Sequence, residues 1–404
     1  MTMHETGTVP RPPGARPESS GARSALGRWL RENLFSPWYN TLLTAGCLWF
    51  LVVVGRAAYL WAFHEAEWAV VPANLRLFLV GTYPPGQLWR VWLVLMTIAV
   101  MSGLSAGAFG GGSLRFAASL TAAGVLTALL PFTAAVRGRI LLAVLLLIVS
   151  FGVARGRRSL RPWLACAWLL SFPWTLLLLW GVDGAAALPR VETSSWGGLL
   201  LTLLLAVAGI VASFPLGVLL ALGRRSRLPA ISWVSAAYIE LVRGTPLVAV
   251  LFMAHLMLPI FMPDFRVDRV VRAMVGFTAF TAAYMAENVR GGLQGVPRGQ
   301  YEAAEALGMN RTLTMLLIIL PQAIRSVVPS IVGQFISLFK DTSLVAIIGL
   351  LDLLGVARSV IANPAWLGLQ PEVFAFAAAL YWIFSFSLSR ASARVERALG
   401  LRGG

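Results

Sequence analysis

EAAEALGMNRTLTMLLIILP, residues Glu302–Pro321, decides how this chain reads. It follows the pattern Glu-Ala-Ala, three residues, Gly, nine residues, Ile, one residue, Leu-Pro. Long apolar runs flank it, yet it opens on Glu302 and Glu305 and carries Asn310 and Arg311. The pattern predicts a short helix from Gln300 to Leu307 and a break at Gly308, where glycine takes a left-handed turn at little cost. A second helix starts near Arg311. Pro321 lacks an N–H and disfavours a helical residue before it, so it ends or kinks that helix. The expected product is a helical hairpin on a loop between apolar segments, shaped to dock into something.

Around this stretch the composition leaves one solvent for the fold. The 404 residues are 58% hydrophobic and 12% charged. A transmembrane helix needs about 20 apolar residues, and helices satisfy their own backbone hydrogen bonds in lipid. The chain is therefore expected to be an all-α integral membrane protein of about 10 transmembrane helices. Spans are expected near 39–62, 88–107, 115–135, 139–154 and 162–182, then 197–222, 244–262, 270–289, 327–350 and 373–390. The net charge of +16 sits largely between spans, at Arg155–Arg161 and Arg224–Arg227, and in the tails. That is a positive-inside asymmetry, and it predicts both termini in the cytoplasm. Arg137 and Arg139 run against it, in a short outer loop. No basic run is interleaved with aromatic residues in a polar segment, so nucleic acid is not an expected partner. Cys47 and Cys166 lie inside apolar runs and read as small buried residues, and the three histidines have no ligand spacing, so no metal is expected.

The second half carries nearly every short motif. Trp196–Pro229 (WGGLLLTLLLAVAGIVASFPLGVLLALGRRSRLP), Tyr238–Phe252 (YIELVRGTPLVAVLF), Ala283–Gly308, Leu338–Leu354 (LFKDTSLVAIIGLLDLL) and Ala379–Gly400 follow one another in order. Together with Glu302–Pro321 they resemble the permease subunits of ABC importers for polar amino acids, whose EAA loop inserts into a cleft on the ATPase. Asn74–Arg90 (NLRLFLVGTYPPGQLWR), Leu251–Pro263 and Phe339–Val345 resemble most the M-type permease subunit of general L-amino-acid importers. The resemblance implies a C-terminal five-helix type I ABC importer permease core over 191–396, with the EAA loop at 291–325. It leaves 1–34 as a disordered basic cytoplasmic tail, 35–190 as an N-terminal membrane extension of about five helices, and 397–404 as a C-terminal tail. It implies as partners a cytoplasmic ATPase dimer, a second related permease in a heterodimer, a periplasmic amino-acid-binding protein and the lipid bilayer. It implies no cofactor bound by this chain, ATP and Mg belonging to the ATPase. The sequence agrees in lacking G-x-x-x-x-G-K-[ST], and the glycine run Gly107–Ser113 has no lysine after it. No catalytic set is present. The resemblance assigns ATPase coupling to Glu302, Ala303, Ala304, Gly308, Arg311, Ile318, Leu320 and Pro321.

Polar residues within apolar spans mark the expected substrate path. Lys340 is the only lysine and stands beside Asp341. A charge at bilayer depth costs about 2.5–3.5 kcal/mol, so it should face a partner or a polar cavity. Lys340, Asp341, Thr342 and Ser343 are therefore candidates for the path, with donors for a carboxylate. Glu287, on the third core span, could meet an ammonium group or pair with Lys340 or Arg290. Glu240 and Arg243 read as a structural pair or cytoplasmic gate, and Thr245-Pro246 as a helix start. Two other classes stand against this reading. An ion-coupled secondary transporter would show inverted repeats and broken midplane helices. A non-transport assembly protein would leave Lys340 and Glu287 without purpose.

Overall fold

The computed structural model describes residues 29–30, 32–261, 263, 267–398 and 400. Most of the expected N-terminal tail lies outside them. Among the described residues every regular element is helical, apart from two isolated bridges, Gly81–Trp196 and Gly198–Asp352. The chain forms two compact units, residues 1–67 and 68–404. The first holds α1 (Trp38–Leu60), which continues through a π turn, Trp61–Glu65, and buries no side chain within its unit.

The second unit begins with a short helix, α2 (Val70–Val80). Four helices follow: α3 (Leu88–Phe109), α4 (Gly111–Ala128), α5 (Ala134–Ala154) and α6 (Arg161–Trp180). The C-terminal half contains α7 (Gly198–Arg224), the pair α8 (Pro229–Arg243) and α9 (Leu247–Phe261), then α10 (Arg269–Gly295). It ends with α11 (Arg298–Ala306), α12 (Arg311–Ile348), α13 (Leu353–Ile361) and α14 (Gln370–Ala398). Among the described residues seven helices are long and apolar enough to cross a membrane, eight if the bent pair α8–α9 counts as one span. With α4 (18 residues) and the more polar α10 (27 residues), helices fall at all ten expected spans.

Two spans differ from expectation, each for a physical reason. The span near 244–262 is part of a pair bent by 109°. Pro246 disfavours a helical conformation at Thr245, so Pro229–Arg243 becomes a separate helix and α9 restarts at Leu247. The expected span 327–350 is the later part of the 38-residue α12, which begins at Arg311. Pro321 does not end it. A π turn over Thr314–Ile319 precedes the proline, and this wider turn absorbs the backbone bond that Pro321 cannot donate. Finally, Cys47 and Cys166 are exposed within the isolated chain, not buried.

Small residues set the helix packing. A Cβ on Gly209 would meet Phe277 and Leu338, and one on Gly217 would meet Met285. The paired numbers rise together, so α7 and α10 run in the same direction. A Cβ on Gly292 would run into the Ala323 carbonyl oxygen, while Phe277 and Leu338 meet at Gly209, so the paired numbers fall and α12 runs antiparallel to α10. In the N-terminal half Gly103 meets Leu147 and Ser150, and Gly107 meets Phe151 and Ala154, so α3 and α5 are also parallel. Backbones this close are the usual solution in lipid, where packing rather than hydrophobicity holds helices together.

The division expected near residue 190 falls inside one packed unit. Phe78 and Val70 of α2 are fully buried in a cluster with Leu353, Val356 and Val360 of α13 and Val373 of α14. Gly81 takes φ +64°, and a Cβ there would lie 2.5 Å from the Gly197 Cα. Arg90 is fully buried and donates to the Pro189 carbonyl (2.7 Å), while the Tyr83 hydroxyl donates to the Leu179 carbonyl (2.9 Å). Arg90 also donates to the Leu178 carbonyl (3.4 Å), in the last turn of α6, where a cation is favoured by the helix dipole. Asp352 closes the same end of the bundle. It is buried, accepts from Leu354 and Gly355 N–H and takes the Tyr381 hydroxyl (2.9 Å). Burial pushes its carboxyl upward, and those hydrogen bonds pull it back.

A candidate coupling hairpin and a charge clasp

The hairpin is built by local rules. Pro297 forces Val296 into an extended conformation, which ends α10 and lets α11 start at Arg298. At the other end, the Gly308 N–H bonds the Glu305 carbonyl (2.9 Å) and the Met309 N–H bonds the Ala304 carbonyl (3.1 Å). That pair of bonds, with Gly308 at φ +73°, is a Schellman cap. Asn310 then caps the next helix, its Oδ1 accepting from Leu313 N–H at 2.9 Å. The turn at Gly308 and the restart at Arg311 both lie where the sequence pattern puts them.

Ala304 is the one buried position of α11, 1% exposed. Tyr301 of the same helix, with Met315, Ile318 and Leu320 of the next, packs against an apolar cluster of Ala221, Ile239, Ala286, Val289, Leu293, Ile319 and Ala323. Gln322 of α12 donates to the Gln300 Oε1 at 3.0 Å and ties the two arms together. The opposite face is open: Glu302, Ala303, Leu307, Gly308, Arg311 and Pro321 are all exposed, Leu307 at 79%. The hairpin is thus rooted through Tyr301 and the buried Ala304 face and offers a free edge with an unshielded leucine at its tip.

Beside the root lies a clasp of five charged side chains. Glu287 on α10 is the hub, with its side chain 15% exposed. It takes Arg290 at 2.8 Å, Arg224 of α7 at 3.0 Å and Arg243 of α8 at 3.5 Å. Arg224 also reaches Glu240 at 2.8 Å. The clasp therefore joins α7, α8 and α10 where all three end on the hairpin side. Glu240 and Arg243 both belong to it, each through a third residue rather than to one another. Glu287 meets Arg290, as the sequence allowed, and not Lys340. The sequence reads Arg224 only as part of a basic stop, and no local signal separates it from Arg225 and Arg227.

The other expected path residues stand apart from this clasp. Lys340 is exposed at the end of the α-helical part of α12, and Asp341 is half-buried. Thr342 is buried and donates to the Phe339 carbonyl at 2.7 Å, opening the tight last turns to Ile348. Ser343 is half-buried.

Residues 213–400 fit the family described as the binding-protein-dependent transport system inner membrane component. Over 95% of both chains, this one is 39% identical to the inner membrane amino-acid ABC transporter permease protein YhdY of Escherichia coli (strain K12). The chain belongs to this permease family. The glutamate/glutamine/aspartate/asparagine transport system permease protein BztC of Rhodobacter capsulatus is 37% identical over 92% of this chain and 93% of its own. The probable glutamine permease GlnP of Bacillus subtilis is 35% identical over 91% of its own length but only 50% of this chain. The permease thus shares nearly its full length with some relatives and half with others. A solved structure of an amino acid ABC transporter with histidines is 30% identical over 50% of this chain and 92% of its own, with a TM-score of 0.45. The permease is a multi-span inner-membrane component of an ABC importer, without an ATPase motif of its own.

Proposed function

We propose that this permease carries amino acids, polar L-amino acids over a broad range, as one of two related permease subunits in a heterodimer. A periplasmic amino-acid-binding protein delivers the substrate. A cytoplasmic ATPase dimer binds ATP and Mg and closes against the hairpin. Both termini and the hairpin lie in the cytoplasm, as the arginine distribution favours. What carries the reading is the hairpin itself, a lever with a capped turn and a free edge, in a chain akin over nearly its full length to two amino-acid permeases.

Coupling requires that the ATPase contact the permease differently in its two states. Glu302, Ala303, Leu307 and Gly308 supply the contact. Tyr301, with Ile318 and Leu320, passes its motion to the cluster under the clasp. Opening of the clasp separates α7, α8 and α10 at the inner mouth, so Glu240, Arg243 and Glu287 act as gate rather than as substrate ligands. Lys340, Asp341, Thr342 and Ser343 border the path, where the exposed ammonium of Lys340 meets a substrate carboxylate at the face toward the second permease. Uptake of labelled amino acids into proteoliposomes holding ATP and the assembled importer tests this. Lys340→Met should keep assembly, since an apolar isostere removes an expensive charge, and should cut uptake at least about tenfold, the loss of one charge-assisted hydrogen bond of about 1.5 kcal/mol. Full uptake by that variant would remove Lys340 from the path.

A further inference from the structure

A cavity of about 700 Å³ opens between the hairpin and the corner joining α7 to α8. Its volume is that of a small-molecule site. Arg225 and Arg227 line it from the corner, and Tyr301, Glu305, Arg311, Thr312 and Thr314 from the hairpin. None of the three arginines forms an ion pair among the described residues. Three arginines against one glutamate leave two positive charges uncompensated. Two hydroxyls in the same wall, Tyr301 Oη and Thr314 Oγ1, are buried without a hydrogen-bond partner, and Thr314 is only 5% exposed. A buried polar group without a partner is costly; two of them, beside arginines that no carboxylate neutralises and of which only Arg225 reaches a carbonyl, Leu293 at 3.5 Å, point to a missing acceptor.

The rest of the wall identifies that acceptor. Leu222, Met315 and Leu316 line the cavity with the charged groups. Leu219 on α7 and Leu313, Leu316 and Leu317 on α12 are exposed beside it, at 64%, 45%, 49% and 65%. A soluble anion has no use for this apolar flank, whereas acyl chains would cover it. We propose that the cavity binds the phosphodiester headgroup of an anionic phospholipid, a diphosphatidylglycerol with its two phosphates fitting best. Guanidinium groups bind phosphate oxygens in paired hydrogen bonds, and basic pockets between helices at the cytoplasmic surface suit such headgroups. The bound headgroup would bridge the α7–α8 corner to the hairpin, bracing the lever that the ATPase pushes.

The test is native mass spectrometry of the full chain, stripped of lipid and mixed with diphosphatidylglycerol, phosphatidylglycerol or phosphatidylcholine. The expected result is retention in that descending order. Arg225→Gln with Arg227→Gln should weaken diphosphatidylglycerol binding at least about tenfold, at about 1 kcal/mol for each arginine near a membrane surface. Thr314→Val, which keeps shape and fold, should weaken it severalfold. Arg157→Gln with Arg158→Gln, in the other basic run, should leave it unchanged. If inorganic phosphate displaces the lipid, with the same sensitivity to the variants, the phosphate group alone supplies the recognition. Equal retention by wild type and the Arg225/Arg227 variant, or equal retention of phosphatidylcholine, would overturn the proposal. So would a variant that keeps its lipid and loses the ATPase, since the cavity would then be part of the ATPase seat.

Discussion

Gly308→Val is expected to lower ATP-driven uptake at least about tenfold while leaving membrane insertion intact. The argument is confined to the backbone. Gly308 stands at φ +73°, and a Cβ there would meet nothing within 4 Å. Valine therefore introduces no clash; it makes the left-handed conformation itself unfavourable, by about 1–2 kcal/mol for a side-chain-bearing residue. Each 1.4 kcal/mol is about a factor of ten in population. The conformation is what places the Met309 N–H on the Ala304 carbonyl and the Gly308 N–H on Glu305. Without it α11 loses its fixed angle to α12, and the lever bends instead of transmitting. Asparagine visits the left-handed region, so Gly308→Asn should retain most of the activity. Binding-protein-stimulated ATPase activity, measured beside uptake, should fall with valine and persist with asparagine. Normal transport by the valine variant would mean that the turn is dispensable.

The second large effect falls on the clasp. Glu287→Ala leaves Arg224, Arg243 and Arg290 grouped with Glu240 as their only described carboxylate. Breaking a buried ion pair from one side costs about 3–5 kcal/mol. These arginine side chains are 28%, 37% and 34% exposed, so water screens part of the repulsion. A loss of about 1–3 kcal/mol is the expected result, seen as a lower midpoint of thermal unfolding in detergent. Glu240→Ala is the control. Its side chain is 60% exposed and meets a single arginine, and exposed pairs contribute about 0–1 kcal/mol. Equal destabilisation by the two substitutions would show that Glu287 is not the hub.

The hairpin was legible in the sequence because its rules are local. Gly308 acts on its immediate neighbours as a left-handed cap and was read as such, whereas Pro297 as a stop and Asn310 as a helix cap act just as locally but were not singled out. The apolar runs were legible for the same reason, since hydropathy needs no knowledge of what packs on what. Of the two outcomes expected at Pro321, an end or a kink, the end does not occur, because a proline inside a helix can be absorbed by a wider turn before it, and only the whole of α12 shows that turn. The clasp was legible in part. Glu287, Glu240 and Arg243 stood out as charges near apolar spans, but the partner that links them, Arg224, is 63 residues from Glu287. Nothing local distinguishes it from Arg225 and Arg227 beside it. The burial of α2 against α13 and α14 was equally hidden. Eleven residues are too few to cross a membrane, and their role appears only when Phe78 meets a cluster almost 300 residues away.

The account rests on a hairpin that seats an ATPase. The most direct test is co-purification. The tagged permease, expressed with its second permease and the ATPase, is solubilised and captured, and the ATPase is quantified in the eluate. The account predicts ATPase at one copy per permease chain with wild-type protein, and a loss of it when the exposed tip is changed by Leu307→Asp with Glu302→Lys, while the two permeases stay together. Full recovery of the ATPase with that altered tip, or its absence from the wild-type complex, would contradict the assignment of Glu302–Gly308 as the coupling element.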